Sequence, residues 1–364
     1  MVKKLHCLIL SAHDYRTDRQ ANMHFIADSL QKKYNVSFFS LRFSFLSLLK
    51  GDYRWKLNKE ANVVVRYKGI DCYLWRSIIH FFSLKFSRLN RLERLFSRYY
   101  CLSAPLVLKN WIRQADYIIF ESGTAALFTA YAKKLNAKAK LIYLASDLLE
   151  TINAAHSVQV AFKESAYLFD TIAITSPRMR NHFPAKNNVI YVPHGIDSAI
   201  RLLDVKCPFN GGVNAISIGS MLFDSDFFNF AATFFPNIKF HIIGSGSRPW
   251  RNCPANIIWY EEMPFLHTIA FMKYADFGIA PYFSEKVHPY LADTSMKLMY
   301  YDFFGLPSVC PNALADGYPM RFGYESNHTP SIAAAISSAL ASRRISSAMT
   351  RSWDEVVSQL IPTE

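Results

Sequence analysis

The feature of this sequence that most constrains its fold is a repeated order of short apolar runs, each followed by a small or polar turn and then by a helix-like segment. Apolar strands that alternate with helical patterns are typical of βαβ units around a parallel sheet. The sequence therefore predicts an α/β fold built from Rossmann-like units. The predicted strands cover residues 5–10, 117–120, 141–144, 170–175, 189–192, 215–218, 240–243, 257–260, 276–280 and 306–310.

The length of the chain, 364 residues, is enough for two α/β domains that each have their own core. A loop-rich stretch at 207–212, with a proline and two glycines, separates the two halves of the strand series. We therefore predict a first domain over 1–203 and a second over 204–364. The final helical stretch, from Ile332 through Leu340 and on, is a candidate for packing back on the first domain.

Acidic residues stand at the carboxyl ends of two predicted strands in the first domain, namely Glu121 and Asp147. In an open α/β sheet this is the edge at which ligands bind. Asp147 is the better candidate for a general base, because no cation follows it until Lys163 and a desolvated carboxylate has its pKa raised. The alternative, in which Asp147 caps a helix beginning at Leu148, stays open from the sequence alone, and the two roles are compatible.

The turn after the first strand carries His13, Asp14, Arg16 and Arg19, and the loop after the strand at 189–192 carries His194. A single histidine is more often structural than functional, but four polar residues in one βα turn make a binding role as plausible as a structural one. We take five residues as candidates for contact with an acceptor or for lining a cleft: His13, Asp14, Arg16, Glu121 and His194.

Small or polar residues follow the predicted strands of the second domain, as a nucleotide site requires, since they let a ligand approach the backbone closely. The four strand ends lead into Gly219-Ser220-Met221, Gly244-Ser245-Gly246, Glu261-Glu262-Met263 and Pro281-Tyr282. A carboxylate such as that of Glu262 is suited to accept hydrogen bonds from a ribose. The sequence has no GxGxxG with a spaced acidic residue and no GxxxxGK[ST], so nicotinamide and P-loop sites are disfavoured.

The stretch at 288–311 combines a helix start, a cation and a strand. Asp293, Thr294 and Ser295 are all favourable N-cap types, so a helix should begin near them and present unpaired N–H groups. Lys297 lies in the first turn, where a cation is unfavourable for the helix itself, so its position indicates a nearby anion such as a phosphate. Gly305 should end the helix. The alternative is an ordinary capped helix before a core strand.

The charge of the chain is +13, from 41 basic and 28 acidic residues, and the excess is uneven. Segment 76–100 has an apolar stripe beside a basic stripe at helical spacing, which is typical of a helix lying in a membrane interface. The basic stripe consists of Lys85, Arg88, Arg91, Arg94 and Arg98, and the apolar stripe consists of Phe82, Phe86, Leu89, Leu92, Phe96 and Tyr99 or Tyr100. Segment 38–56 mixes aromatic and basic residues similarly. The alternatives are a solvated face of a core helix and, for the whole protein, nucleic-acid binding.

Other features narrow the cellular setting. No window reaches eighteen uncharged apolar residues, so we expect any membrane contact to be peripheral. The six cysteines are scattered without metal-ligand spacing and are expected to be reduced thiols in a cytoplasmic protein. The first apolar run is short and is interpreted as a strand and not as a signal peptide. No metal or other cofactor is expected.

Several motifs resemble those of GT-B glycosyltransferases, in which two Rossmann-like domains face each other across a cleft. They are HGID at 194–197, IGSM at 218–221, IIGSG at 242–246 and SMKLMYYDFFGLPSV at 295–309. The further stretches LSAHDYRTDRQANMHFI, FESG, LASDLLETINAA, GSMLFDSDFF and LADTSMKLMYYDFFGLPSVCPNA resemble the inverting, membrane-associated β-1,2-glucuronosyltransferases of xanthan biosynthesis. This resemblance extends from about residue 8 to residue 324.

The resemblance implies transfer of glucuronate from UDP-glucuronate to a mannose of a polyprenyl-diphosphate-linked oligosaccharide, without a metal ion, at the cytoplasmic face of a bacterial inner membrane. Asp147 matches the family's catalytic base. Donor-nucleotide contacts of the family match Met221, Glu262, Tyr282, Ser295, Met296 and Lys297. The family has glutamine where this chain has Tyr300, which puts the donor sugar in question. The alternatives are a same-fold transferase that uses another UDP-sugar and a basic nucleic-acid-binding protein, although we expect no nucleic-acid partner.

Overall fold

The structure is a computed structural model that describes residues 4–18, 20–78, 90–246, 253–283, 285, 287–345 and 351–362. The chain divides into two compact units. The first unit comprises Met1–His194 together with Trp353–Glu364, and the second comprises Gly195–Ser352. The division therefore falls before Gly195 and not between residues 203 and 204, and the chain returns to the first unit at its end.

The first unit contains, among the described residues, a sheet in the order β3-β4-β2-β1-β5-β6-β7-β8. Its strands are β1 (His6–Ser11), β2 (Asn35–Ser44), β3 (Val64–Tyr67), β4 (Ile70–Ser77), β5 (Tyr117–Glu121), β6 (Lys140–Ala145), β7 (Thr171–Ile174) and β8 (Val189–Tyr191). All neighbours are parallel except β3 and β4. The central strands are almost fully buried, as expected for a parallel sheet covered on both faces.

Among the described residues before Gly195, the first unit has six α-helices. They are α1 (Asn22–Leu30), α2 (Leu46–Leu49), α3 (Asn90–Leu102), α4 (Leu106–Gln114), α5 (Thr129–Leu135) and α6 (His156–Ser165). Short 3₁₀ segments lie at Tyr53–Glu60, Thr124–Phe128, Ala166–Leu168 and Pro177–His182. Ile26 and Leu30 of α1 are buried.

The interpretation of 38–56 as a membrane-like segment was wrong for residues 38–44. Residues up to Ser44 form strand β2 inside the sheet, where Phe38, Phe39 and Phe43 are fully buried. The phenylalanines serve the core because β2 lies between two other strands. Only the following residues expose apolar side chains, among them Phe45 and Leu49.

The second unit contains, among the described residues, a parallel sheet in the order β11-β10-β9-β12-β13-β14. Its strands are β9 (Val213–Ile218), β10 (Ile238–Ile243), β11 (Ile257–Tyr260), β12 (Phe277–Ile279), β13 (Ser308–Pro311) and β14 (Arg321–Tyr324). Its helices are α7 (Ser225–Phe234), α8 (Phe265–Tyr274), α9 (Leu291–Thr294), α10 (Met296–Phe303), α11 (Asn312–Ala315) and α12 (Thr329–Ala341), with a 3₁₀ segment at Ser198–Leu202.

The predicted final helical stretch divides between the two units. Helix α12 stays with the second unit, since Ile332 and Ile336 belong to its hydrophobic core. The last helix, α13 (Trp353–Leu360), packs on α1 of the first unit. There the Trp353 ring stacks on the Phe25 ring with centroids 5.1 Å apart, and Lys32 pairs with Asp354 at 2.8 Å.

Candidate active site

The candidate residues of the first unit lie along one edge of its sheet. His13 follows β1, Glu121 ends β5 and Asp147 follows β6, and these three strands are neighbours in the sheet. Strand β1 pairs with β2 on one side and with β5 on the other, so the strand order changes direction between β1 and β5. Ligands of open α/β sheets bind at such topological switch points.

Glu121 and His13 form a pair at this switch point. The Glu121 carboxylate is buried and accepts hydrogen bonds from Ser11 Oγ at 2.5 Å and from the backbone N–H of Ala12 at 3.2 Å. Its other oxygen lies 3.6 Å from His13 Nε2. The His13 ring is part-exposed, and its Nδ1 lies 3.2 Å from the hydroxyl of Tyr53. The carboxylate thus orients the imidazole at the edge where ligands bind.

The side chains of Asp14 and Arg16 are buried and bind each other, so they are not available to a ligand. This differs from the expectation that they contact an acceptor. The Arg16 guanidinium donates to both oxygens of Asp14 at 2.9 Å and also binds Glu60 at 3.0 Å. Both the Asp14 and the Arg16 side chains are buried. Burial alone would raise the pKa of Asp14, but the hydrogen bonds and charge of Arg16 hold the pKa below its ordinary value. This ion pair instead fixes the turn after β1. Arg19 lies outside the described residues.

Asp147 lies in a bend after β6, and its backbone N–H donates to Ser122 Oγ at 3.2 Å. The alternative in which it caps a helix was wrong, because residues 149–153 form turns and α6 begins only at His156. The preceding Ser146 accepts a hydrogen bond from Asn22 Nδ2 at 2.7 Å, which ties the bend to the start of α1. The part-exposed carboxylate lies in the wall of a cavity of about 400 Å³.

His194 is not grouped with these residues. It is buried, and its ring lies against that of Trp353 with centroids 6.2 Å apart. Burial lowers the pKa of His194 to about 4, so the ring is neutral at physiological pH. A structural role at the end of the first unit is consistent with this environment.

In the second unit, the strand order changes direction between β9 and β12, because β9 pairs with β10 on one side and with β12 on the other. The loops that follow β9 and β12 lie at this switch point and are joined by backbone hydrogen bonds. The Asp224 N–H donates to Pro281 O at 2.7 Å, and the Phe283 N–H donates to Leu222 O at 3.0 Å. Gly219 takes a φ of +87°, which only glycine adopts readily, and so turns the chain at the end of β9. Met221 stands 44% exposed on the resulting loop.

The start of α10 joins this cluster. Ser295 is the N-cap, and its Oγ accepts from the Leu298 N–H at 3.4 Å and lies 2.7 Å from the Tyr282 hydroxyl. The Lys297 ammonium lies 5.0 Å from the centre of the Tyr282 ring. The predicted helix start, the C-terminal Gly305 with φ +63° and the following buried strand β13 are all confirmed.

Lys297 Nζ is shielded from solvent and has no hydrogen-bond partner among the residues that the structure describes. Burial lowers the pKa of Lys297 to about 7. An unpaired buried ammonium is costly, and it is accounted for if an anion binds beside it. Because the N–H groups of the first turn of α10 also favour negative charge, the arrangement suits a phosphate or diphosphate.

The remaining donor candidates differ in exposure. Glu262 is exposed after β11, next to Gly244 at the end of β10. Met296 is part-exposed in the first turn of α10. Tyr300, the position where the family has glutamine, is buried, and its ring packs on Phe265 of α8 with centroids 4.8 Å apart. The phenol thus fills a space in the packing of α8 and α10.

Helix α3 carries the described part of the predicted basic stripe, and its buried face consists of Glu93, Ser97 and Tyr100. Glu93 and Ser97 are buried: the Glu93 carboxylate accepts from the Ser157 N–H at 2.6 Å, and Ser97 Oγ lies 2.6 Å from Ser157 Oγ. The exposed residues of α3 include the stripe residues Arg91, Arg94, Arg98, Leu92, Phe96 and Tyr99, and also Leu95 and Leu102. The other predicted stripe residues, Lys85, Arg88, Phe82, Phe86 and Leu89, lie outside the described residues.

Two absences apply to the described residues only. None of their helices has the length and apolar character needed to cross a bilayer. They also hold no cluster of three or more His, Cys, Asp or Glu side chains arranged to bind a metal ion.

The sequence candidates did not include most of the wall of the cavity beside Asp147. Gln159 and Lys163 come from α6, whereas Asn181 and His182 end the 3₁₀ segment Pro177–His182. These residues form no motif in the sequence. Their proximity to Asp147 depends on tertiary packing, in which Phe162 of α6 lies on Tyr143 of β6.

Comparison with known proteins gives two sequence matches. Residues 9–175 match the family profile described as glucuronosyltransferase GumK, N-terminal domain. The chain is 45% identical over 354 residues to UDP-glucuronate:glycolipid 2-beta-glucuronosyltransferase from Xanthomonas campestris pv. campestris, covering 97% of this chain and 88% of that protein.

Solved structures share the fold at low sequence identity. The E. coli structure described as trehalose-6-phosphate bound with UDP-2-fluoro glucose has a TM-score of 0.63 and 11% identity, covering 98% of this chain and 94% of that one. Anabaena Alr3699/HepE in complex with UDP and glucose has a TM-score of 0.58 and 13% identity, covering 98% and 95%. These similarities confirm the predicted GT-B fold.

Proposed function

The chain belongs to the glucuronosyltransferase GumK family, and on that premise we propose that it transfers glucuronate from UDP-glucuronate to a glycolipid. The structural observation that carries the donor half of this proposal is the buried, unpaired Lys297 ammonium at the start of α10. It provides a site for the diphosphate of a UDP-sugar. Ser295, Met296, Tyr282 and Met221 lie around the same helix start and β9–β12 loops, where they would contact the nucleotide.

We propose Asp147 as the general base of an inverting transfer. Its carboxylate would take the proton from the acceptor hydroxyl while that oxygen bonds to C1 of glucuronate, on the face opposite UDP. The C1–O bond to the diphosphate breaks, and the bonding electrons leave with UDP. The Lys297 ammonium and the N–H groups of α10 stabilise the negative charge that develops there. These groups supply the charge that the leaving group needs, so the proposal includes no metal ion.

The acceptor that we propose is a mannose of a polyprenyl-diphosphate-linked oligosaccharide, used at the cytoplasmic face of a bacterial inner membrane. Support for a membrane location comes from α3, which exposes leucine and aromatic side chains beside arginines instead of burying them. Such a helix matches an interface with an anionic lipid surface, where each nearby arginine contributes about 1 kcal/mol. Nucleic-acid binding would use the arginines but leave the adjacent apolar face unexplained.

The test of this function is transfer by the purified protein. Radiolabelled UDP-glucuronate and lipid-linked oligosaccharide extracted from membranes should yield a labelled glycolipid, and NMR of the product should show a β-linkage. The reaction should persist in EDTA. Equal transfer from UDP-glucose would reassign the donor, an α-linkage would contradict inversion, and activity restored only by magnesium would contradict metal independence.

The role of Asp147 is tested by Asp147→Asn. This variant should fold and bind UDP like the parent, because the amide is isosteric, yet its turnover should fall at least ~100-fold through loss of the base. Glu164→Gln, an exposed change on α6, is the matched control. Near-parental turnover of folded Asp147→Asn would exclude this residue as the base.

A further inference from the structure

The cavity beside Asp147 has features that base catalysis does not require. It encloses about 400 Å³, within the range of small-ligand sites, and lies entirely in the first unit. One wall is α6 and the other is the end of the 3₁₀ segment Pro177–His182 with the residues that follow it. Asp147 contributes to the same lining. The space therefore continues from the proposed base along the flank of the sheet.

Aromatic rings form part of this cavity. Phe183 is part-exposed, and its ring packs against those of Phe162 and Tyr143 with centroids 5.9 and 6.4 Å away. Phe162 and Tyr143 are themselves buried. The Phe183 ring is thus supported from behind by fixed neighbours. Such a ring offers an apolar face to a ligand that carries C–H groups.

Polar side chains from both walls meet this ring. The side chains of Lys163, Asn181 and His182 are exposed, and they have no hydrogen-bond partner among the described residues. Gln159 Nε2 donates to Ala154 O at 2.9 Å, which fixes the orientation of its amide. The cavity thus combines an apolar face with uncommitted donors and acceptors, the lining expected of a site that binds a polyhydroxylated ring by its faces and edges.

We propose that this cavity is a subsite for the acceptor sugar next to the one that receives glucuronate. The inference rests on the proposed function, since the acceptor hydroxyl must lie within hydrogen-bond reach of Asp147. A glycan bound there can extend its neighbouring hexose between α6 and Phe183. The hexose would stack on Phe183 and exchange hydrogen bonds with Gln159 and Asn181.

The position of the wall also agrees with a lipid-linked glycan. Glu93 of α3 accepts a hydrogen bond from the Ser157 N–H in the first turn of α6. Helix α6 is therefore fixed to the helix that exposes the apolar and basic stripes. A glycan whose lipid lies at that surface would meet α6 on the way to Asp147.

The experiment compares two acceptors with the full-length protein. One is the extracted lipid-linked oligosaccharide, and the other is a lipid that carries mannose alone. For Asn181→Ala and Phe183→Ala we expect the KM for the oligosaccharide to rise about five- to tenfold, as for the loss of one contact, with kcat within about twofold. Transfer to the mannose lipid and UDP affinity should not change. Asn110→Ala, an exposed change on α4, is the matched control.

The outcomes separate this inference from the proposed function. If the KM rises equally for both acceptors, or rises for neither, the subsite proposal is wrong. The proposed transferase activity would not be contradicted by either result. The KM for the oligosaccharide can instead rise in Lys163→Ala and His182→Ala but not in Asn181→Ala and Phe183→Ala. In that case the cavity holds an anion and the hexose assignment is wrong. Should the parent transfer nothing, the proposed function fails. Saturation-transfer NMR of the delipidated oligosaccharide, with and without Asn181→Ala, then still tests the subsite.

Discussion

At the scale of single residues, Lys297 shows how a binding group can oppose the stability of the protein that carries it. Its ammonium is buried without a hydrogen-bond partner among the described residues, and burial lowers its pKa to about 7. Below pH 7 both the folded and the unfolded protein hold the proton, so the folded state bears the full desolvation cost. As the pH rises from 7 towards the ordinary lysine value of 10.5, only the unfolded state stays protonated, and the relative stability of the folded state increases.

We therefore expect Lys297→Met to raise the melting temperature of the UDP-free protein at pH 6.5 and to bind UDP much more weakly. The gain should shrink by pH 9.5, where the folded parent holds a neutral lysine. Calorimetry at the two pH values measures this difference. Lys206→Met, a change at an exposed residue of the second unit, is the control. A lower melting temperature for Lys297→Met at pH 6.5 would show that the folded state stabilises the ammonium.

The same residue predicts a pH dependence of UDP binding. The diphosphate needs the charged ammonium, so UDP affinity should be constant below about pH 7 and fall up to tenfold per pH unit above it. Isothermal titration at pH 8.5 in buffers with different ionisation enthalpies should report proton uptake. Lys297→Met should abolish that uptake, and a pH-independent affinity of the parent between pH 6.5 and 9 would contradict the assignment.

At the scale of elements, α3 buries two polar residues and exposes several apolar ones. Its buried face holds the Glu93 and Ser97 hydrogen bonds to Ser157 together with Tyr100, whereas Leu95 and Phe96 are 63% and 42% exposed. Exposed apolar side chains that are grouped beside arginines indicate an interaction surface, because scattered ones need no explanation but a continuous face does. For this reason the membrane proposal depends on the packing of α3 and not on charge alone.

Leu95→Ser with Phe96→Ser should release the protein from anionic liposomes, since the insertion of both side chains is lost while the buried face of α3 is unchanged. Sedimentation with vesicles containing phosphatidylglycerol measures the bound fraction. Phe234→Ser with Leu266→Ser, two similarly exposed residues of the second unit, is the control pair. Unchanged sedimentation of the α3 variant with normal folding would mean that this face does not meet the membrane.

At the scale of the whole molecule, the end of the chain belongs to the first unit although the preceding residues belong to the second. The return depends on α13, where Trp353 is buried and stacks on Phe25 of α1. The first unit therefore contains two segments that are distant in the sequence. Its stability should respond to changes near residue 353.

Trp353→Ala should destabilise the first unit by about 3–5 kcal/mol, the usual cost of removing a buried tryptophan. Scanning calorimetry should show the transition of the first unit at lower temperature, with UDP binding by the second unit retained below that transition. Ile345→Ala, at an exposed residue, is the control. A melting profile unchanged by Trp353→Ala would show that α13 does not support the first unit.

The sequence by itself determined the features that depend on near neighbours in the chain. Ten of the strands, a helix start near Ser295 and the glycine end of α10 at Gly305 follow from local propensity and from backbone sterics, and these were predicted. Strands β2, β3, β4 and β14 were not predicted. The family resemblance was equally readable, because its motifs are continuous segments. The position of Lys297 in the first turn of a helix was predicted on the same local grounds, and the anion beside it stays a prediction.

Only the tertiary structure decided the features that depend on distant partners. The sequence cannot show that Arg16 forms ion pairs with Asp14 and Glu60, or that β2 lies inside the sheet and buries Phe38. It also could not decide which face of α3 is buried, since that follows from Glu93 and Ser157, 64 residues apart. The energies of such contacts come from desolvation and packing, which are defined only once the elements have assembled.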